Sequence, residues 1–280
     1  MSQVFVFPGQ GSQKLGMGAE LFPEFRDLLT EAENILGYSI EELCLEGPVE
    51  KLSQTEYTQP ALFVVNALTY LKHVEETGEQ PSSTAGHSLG EYNALYAAGV
   101  FDFSTGLKLV QKRGEIMSKV QGGGMAAVLG MDPGTIKMTL EKSGFTSIDV
   151  ANYNSPKQTV LSGMKDDIVA AEQAFKDAGA KRYIVLPVSG AFHSRYMESP
   201  QAEFELFAAQ FEFKAPSIPV ISNLKAKPYE EAGILKTLVG QISNSVRWVE
   251  SIQYLKQQGE NEFVELGPGA VLTSLIKQID

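Results

Sequence analysis

The chain has 280 residues, 43% hydrophobic and 20% charged, which is apolar material for one sizeable core or one core plus a small second one. Its formal net charge is −11, and without a cluster of Lys and Arg this excludes a general nucleic-acid binder; acidity of this kind serves solubility. A single cysteine, Cys44, excludes an internal disulfide. The opening residues lack a basic, apolar leader, and the apolar stretch 60–71 is broken by Asn66 and Thr69 and too short for a bilayer, so a cytoplasmic address is expected.

Val4-Phe5-Val6-Phe7 is a short apolar run of β-favouring residues closed by Pro8-Gly9, and it reads as a buried strand entering a Gly- and Gln-rich loop, residues 8–13. Helices are expected over 20–36 and 58–76. A weak strand over 82–85 leads into Gly86-His87-Ser88, and helices follow over 89–98 and 105–120, the second stopped by Gly122-Gly123-Gly124. The texture then changes. Strand 125–130, helix 133–143, strand 147–151, a turn at Asn154-Ser155-Pro156, strand 158–162, helix 166–178 and strand 182–187 follow one another. This βαββαβ order is the ferredoxin-like pattern. The tail returns to helix 194–210, strand 218–222, helices near 229–242 and 248–258, strand 262–266 and a helix from Ala270. The expected fold is α/β, with a core from residues 1–122 and 190–280 and an inserted ferredoxin-like subdomain over 123–189.

Gly86-His87-Ser88-Leu89-Gly90, lying between a strand and a helix, has the nucleophile-elbow form Gly-x-Ser-x-Gly. The glycines spare a sharp turn from collisions with neighbouring strand and helix. The turn lifts the Ser88 hydroxyl to a helix N-terminus, where free N–H groups can receive an oxyanion. A serine nucleophile needs a base, and the chain has three histidines. His73, in Lys72-His73-Val74-Glu75-Glu76, reads as a solvated surface residue. His87 precedes Ser88 in a turn whose consecutive side chains diverge, so it packs or hydrogen-bonds beneath it. His193 follows strand 182–187 in a loop at the strand's C-terminal edge, where α/β active sites lie, and is the base by elimination and position, against the plainer reading of a capping histidine. No acidic residue has a clear claim to orient it. Oxygens near Asn223 and Gln241 are both open candidates.

Taken together these segments resemble the malonyl-CoA:acyl-carrier-protein transacylase family, and within it the free-standing, trans-acting acyltransferases of trans-AT polyketide synthases. The likeness spans essentially the whole chain. Its markers are Phe7-Pro8-Gly9-Gln10-Gly11-Ser12-Gln13, Thr58-Gln59-Pro60-Ala61, Gly86-His87-Ser88-Leu89-Gly90-Glu91 and Gln111-Lys112-Arg113-Gly114. Ala191-Phe192-His193-Ser194, Pro219-Val220-Ile221-Ser222-Asn223 and Glu265-Leu266-Gly267-Pro268-Gly269 continue the series in order.

The resemblance implies an α/β-hydrolase-like core with a ferredoxin-like insert and ping-pong transfer of malonyl from malonyl-CoA, through malonyl-Ser88, to the phosphopantetheine thiol of an acyl carrier protein. It implies no metal and no cofactor. By matching position, the oxyanion donors would be the backbone N–H groups of Gln10 and Leu89, and the carbonyl of Gln241 would hold His193, with Asn223 a second candidate beside the substrate. Arg113 would pair with the malonyl carboxylate, because a planar guanidinium can offer two parallel hydrogen bonds; without the likeness it reads as a surface helix arginine. Met117, one turn on, would line the acyl pocket, and Phe192 would exclude an α-methyl group. The rival on the same fold is an acyl hydrolase editing carrier proteins, which has little use for Arg113. A second rival is a catalytically idle docking partner. Arg195, Lys225 and Lys227 are the expected rim for an acidic carrier protein, polyketide synthesis is preferred over fatty-acid synthesis on overall likeness, and a monomer is the default.

Overall fold

A computed structural model describes residues 3–280; Met1 and Ser2, part of the stretch inspected above for a leader, lie outside it. The elements of the first half are β1 (Val4–Phe7), α1 (Arg26–Leu36), α2 (Ile40–Leu45), α3 (Val49–Leu52), α4 (Thr55–Thr77), β2 (Ser83–Gly86), α5 (Gly90–Ala97) and α6 (Phe103–Ser118). Then come β3 (Gly123–Leu129), α7 (Pro133–Lys142), β4 (Asp149–Ser155), β5 (Gln158–Met164), α8 (Lys165–Ala170), α9 (Glu172–Asp177) and β6 (Arg182–Val185). The remainder is α10 (Glu198–Ala208), β7 (Val220–Ile221), α11 (Ile234–Gly240), α12 (Trp248–Gln257), β8 (Phe263–Glu265) and α13 (Val271–Ile276).

β1 is apolar at every position because both of its faces are covered. It lies inside a parallel sheet of order β7-β2-β1-β8. Alternation along it sends Phe5 and Phe7 to the larger core, beneath α1, α4, α5 and α6, and Val4 and Val6 to a smaller one with Trp248, Ile252, Leu272 and Leu275. Register matters more for function. Phe7 pairs with Gly86, so β1 and β2 end level and the loops that follow them, one with Gln10 and one with Ser88, meet at the carboxyl edge of the sheet.

The second sheet is antiparallel, of order β4-β5-β3-β6, which is the strand arrangement of the ferredoxin-like pattern. One face carries α7, α8 and α9 over a core of Val128, Ile136, Leu161, Ile168 and Phe175. The other face, with Met125, Ala127 and Val160, joins the main core and turns toward the elbow. Ladder bonds from Tyr153 N–H to the Val246 carbonyl and from Val246 N–H to the Ala151 carbonyl, 2.9 and 2.8 Å, tie its edge strand to the rest of the chain.

Several boundaries differ from expectation. α1 starts at Arg26 and not at residue 20, since Pro23 disfavours helical backbone at Phe22, and residues 16–24 run as turns. Asn154 and Ser155 lie in β4, not in the turn, because hydrogen bonding to β5 carries this strand on to Ser155, opposite Gln158. The helix expected over 166–178 is two short ones meeting at Ala171, the one over 229–242 contracts to α11, and the one from residue 194 opens with a 3₁₀ turn, Arg195–Met197. The short helices α2 and α3, with only four to six residues each, carry too little periodicity to be read from sequence.

Glycines decide how closely the elbow packs. A Cβ on Gly86 would fall 1.9 Å from the carbonyl carbon of Gly90, and one on Gly90 would fall 2.0 Å from the Phe7 carbonyl oxygen. Gly86→Ala should therefore destabilise the protein by about 3 kcal/mol, at the upper end of overpacking, read as a lower urea midpoint at unchanged m-value.

Candidate active site

Ser88 sits in the left-handed region at φ +52°, between β2 and α5, and His193 does so at φ +56°. Among the described residues only Ala226 shares this conformation without being glycine. Such backbone is costly for a side-chain-bearing residue and persists only where the surroundings hold it. The two strained residues face each other: Ser88 Oγ is 2.7 Å from His193 Nε2. His193 Nδ1 is 2.9 Å from the Gln241 carbonyl oxygen. That oxygen can only accept, so Nδ1 carries the proton and Nε2 presents a lone pair to the Ser88 hydroxyl. Of the two orienting candidates left open by sequence, Gln241 makes the contact with the imidazole.

His193 is 4% exposed. Burial, and then the nearby charge of Arg113, push its pKa down to about 3, against a smaller upward pull from the Gln241 carbonyl. The imidazole is therefore neutral, and able to take a proton, throughout the physiological range. Burial likewise lowers the pKa of His87, whose Nε2 donates to Asn154 Oδ1 at 2.8 Å and whose ring lies 5.6 Å from Trp248, under the turn as expected. His73 departs from expectation. It is not a freely solvated residue, since its ring packs edge-on against Phe5 at 5.0 Å, with Nε2 3.3 Å from Glu79 Oε2.

Arg113 is not on the surface. It is 1% exposed, and burial lowers its pKa, yet among the described residues it touches no carboxylate. Nη1 donates to Gln59 Oε1 at 2.6 Å; Nη2 donates to Gln241 Oε1 at 2.8 Å and to Ser88 Oγ at 3.1 Å. Its Nε–H has no acceptor among the described residues. The close approach of α6 to α4 makes this reach possible, because a Cβ on Gly114 would stand 3.1 Å from Glu56 Cα. A buried cation held by neutral acceptors, with two of its five N–H donors unused among the described residues, can receive an anion.

The backbone N–H groups of Gln10 and Leu89 make no hydrogen bond among the described residues, while both residues line the same cavity as Ser88. The N–H of Ser88 itself is taken by Asn223 Oδ1 at 2.7 Å. Asn223 thus belongs beneath the elbow, its Nδ2 donating to the Gly86 carbonyl at 2.6 Å, and it does not line the cavity where a substrate role would put it. The cavity is about 250 Å³ and is walled by Met117, Met125, Ala127, Val160 and Phe192. Met117 and Phe192 line the same cavity as Ser88.

Four further residues shape this site without having been singled out as site residues from sequence. Gln59 holds Arg113 and Thr55, and the Thr55 hydroxyl donates to Gln10 Oε1 at 2.6 Å. Glu91 and Tyr229 lie behind the elbow, 2.6 Å apart. Gln59 and Glu91 stood inside quoted motifs; Thr55 and Tyr229 carried no signal. On the rim, Arg195 forms an ion pair with Asp149 and Lys227 lies 4.1 Å over the Tyr254 ring, so neither is a bare cation. Cys44 is buried and its thiol pKa is pushed up to about 12, which keeps it from reacting as thiolate.

A sheet-edge serine, a neutral imidazole aimed at it, two unused N–H donors and a cation for a carboxylate make an arrangement suited to acyl transfer. Comparison with known proteins bears this class out. The acyl transferase domain family matches residues 4–279, and the chain belongs to it. It is 54% identical over 276 residues, 98% of the chain and 96% of the relative, to the polyketide biosynthesis malonyl CoA-acyl carrier protein transacylase BaeC of Bacillus velezensis. The crystal structure of a malonyl CoA-acyl carrier protein transacylase from Burkholderia pseudomallei superimposes with a TM-score of 0.96 at 48% identity, covering 99% of this chain and 97% of that one. A type II polyketide synthase acyl-carrier protein in complex with its malonyl-transacylase gives 0.95 at 38% identity, covering 100% and 93%.

The protonation states have a direct test. A histidine with an ordinary pKa takes up its proton around 6.5. His193, with its native value depressed, stays neutral as pH falls from 8 to 5, while the unfolded chain would take the proton near 6.5; native stability contributed by this group is therefore lost on acidification below that point. The ring resonances of His193 in NMR spectra should show no protonation step between pH 8 and 5.

Proposed function

We propose that this protein transfers malonyl from malonyl-CoA to the phosphopantetheine thiol of an acyl carrier protein, by a ping-pong route through malonyl-Ser88. The observation that carries the reading is Arg113, a fully buried guanidinium without a carboxylate partner, 3.1 Å from the nucleophilic oxygen. The relatives named above are malonyl transacylases, two of them from polyketide systems, and that supports both the acyl group and the pathway class.

Malonyl-CoA would enter with its free carboxylate on Arg113, which places the thioester carbonyl over Ser88. Ser88 Oγ attacks that carbon as His193 Nε2 takes the hydroxyl proton, and the carbonyl electron pair moves onto oxygen, facing the N–H groups of Gln10 and Leu89. Collapse re-forms the carbonyl and breaks the carbon–sulfur bond, and the His193 proton goes to the departing CoA sulfur. The carrier thiol then gives its proton to His193 and attacks the ester; the second collapse returns the proton to Ser88. Met117 and Phe192 would crowd a methyl branch on the acyl carbon, a discrimination of about 1–3 kcal/mol. No cofactor enters any step.

Among the described residues no helix is long and apolar enough to cross a membrane, and a cytoplasmic address accords with that. The division into a core and an inserted subdomain over 123–189 is supported by the second sheet having its own helices and core.

Incubation with radiolabelled malonyl-CoA should leave stable label on the wild type and none on Ser88→Ala, with the label passing to added holo carrier protein. Free malonate released without carrier labelling would instead mark a hydrolase, and no label an idle docking partner. Arg113→Ala should lower kcat/KM for malonyl-CoA by about 3 kcal/mol, roughly 100-fold, while affecting acetyl-CoA far less.

A further inference from the structure

Glu91 lies in the first turn of α5, three residues after the nucleophile, and is completely buried. Its carboxyl accepts from Tyr229 Oη at 2.6 Å, from Asn223 N–H at 3.0 Å and from Gln241 Nε2 at 2.5 Å. Nothing in the transfer route uses it, yet a single residue, Gln241, separates it from Ser88, His193 and Arg113. Asn223 receives the Ser88 N–H. Gln241 stands between Glu91 and Arg113.

The orientation of the Gln241 side chain is the decisive detail. Its NH₂ group has two hydrogens, and two acceptors take them: the Ser88 carbonyl at 2.7 Å and Glu91 Oε2 at 2.5 Å. Its oxygen is thereby left to face Arg113 Nη2 at 2.8 Å. A primary amide can be turned over with little change in shape, so what fixes the choice is the chemistry around it. The Ser88 carbonyl and Glu91 are the two groups that demand donors here. Burial raises the Glu91 pKa to about 7, but a carboxyl protonated on its Tyr229 side still accepts at Oε2, so the demand persists in either state.

We propose that Glu91 is a positioning residue for substrate selection: by accepting from the Gln241 amide it turns that amide's oxygen to Arg113, and so holds the guanidinium on a neutral acceptor, charged and open to the substrate carboxylate. The amide also acts as an insulator. A carboxylate in direct contact with Arg113 would form the bidentate pair that the malonyl group has to form. With Gln241 interposed, Glu91 supplies order to the cation's surroundings without occupying it.

This inference rests on the reading that Arg113 binds the malonyl carboxylate, and the test separates the two. Self-acylation of Ser88 by malonyl-CoA and by acetyl-CoA is followed by rapid quench and intact-protein mass spectrometry in wild type, Glu91→Gln, Gln241→Met and the double variant. Gln241→Met keeps the backbone carbonyl that holds His193 but has no amide oxygen for Arg113. In Glu91→Gln the new NH₂ must confront either the Gln241 NH₂ or the Asn223 N–H. Each single variant should lower the malonyl-to-acetyl ratio of kcat/KM about tenfold, the scale of one hydrogen bond to a charged group, mainly through a higher KM for malonyl-CoA. The double variant should lose no more than the worse single one. A ratio unchanged in the variants, whatever their absolute rates, overturns the proposal, as do strictly additive losses. Should Glu91→Gln not fold, an unchanged ratio in Gln241→Met alone overturns it. A wild type without malonyl preference would instead bring down the assignment of Arg113, and this inference with it.

Discussion

Gln241 is the residue on which the site depends. Directly after α11, its carbonyl and side chain make four hydrogen bonds to groups from three other parts of the chain. Its carbonyl accepts from His193, its side-chain oxygen from Arg113, and its NH₂ donates to the Ser88 carbonyl and to Glu91. Nucleophile, base and cation are therefore referred to one backbone position. Every contact is made by a neutral group, and this has a physical reason. Two opposite unit charges 4 Å apart attract by about 4 kcal/mol at a protein-like effective dielectric. A carboxylate orienting His193 would lie within the field of Arg113, which is near enough to depress the imidazole, and would compete for the guanidinium. A peptide carbonyl sets the imidazole tautomer without that competition.

The site concentrates what a protein ordinarily avoids: strained backbone at Ser88 and His193, a buried cation without a counter-ion in contact, and free N–H groups at Gln10 and Leu89. These are tolerated because the parallel sheet over-determines the elbow. β1 and β2 end in register, Gly86 and Gly90 let strand and helix touch, and Asn223 pins the Ser88 N–H from β7's side. The ferredoxin-like sheet then contributes an apolar wall, Met125, Ala127 and Val160, that narrows the cavity and removes water. In such surroundings each unused donor is worth more to an arriving anion than it would be in water.

Much of this was legible in the residues. The elbow could be read because Gly-x-Ser-x-Gly is a local steric requirement, and the base because three histidines leave few choices. The βαββαβ order survived, apart from the split of its second helix at Ala171, because apolar positions of its strands and helices meet in one core. The parts that were not legible share a cause. Asn223 was expected beside the substrate and lies under the turn, since which way a loop amide points depends on a carbonyl 137 residues away. Asn152 carries no strand propensity and is strand because Val160 of β5 and Val246 pair with it, and Asn154 is carried along in the register shift between Tyr153 and Ser155. Thr55, Tyr229 and the shielding of Arg195 by Asp149 are likewise long-range pairings without a periodic trace.

The sequence by itself determined that Ser88 would stand on a glycine-framed turn at a strand's end, that His193 was the candidate base, and that a family likeness would point to Arg113. Those conclusions follow from sterics over a few residues, from scarcity and from motif order. Only the tertiary structure decided that Arg113 is a buried cation with neutral partners, that His193 is neutral and held by a carbonyl, and that Glu91 stands behind both. Charge state and partner choice are set by burial and by groups brought together across the whole chain, and no local stretch of residues contains that information.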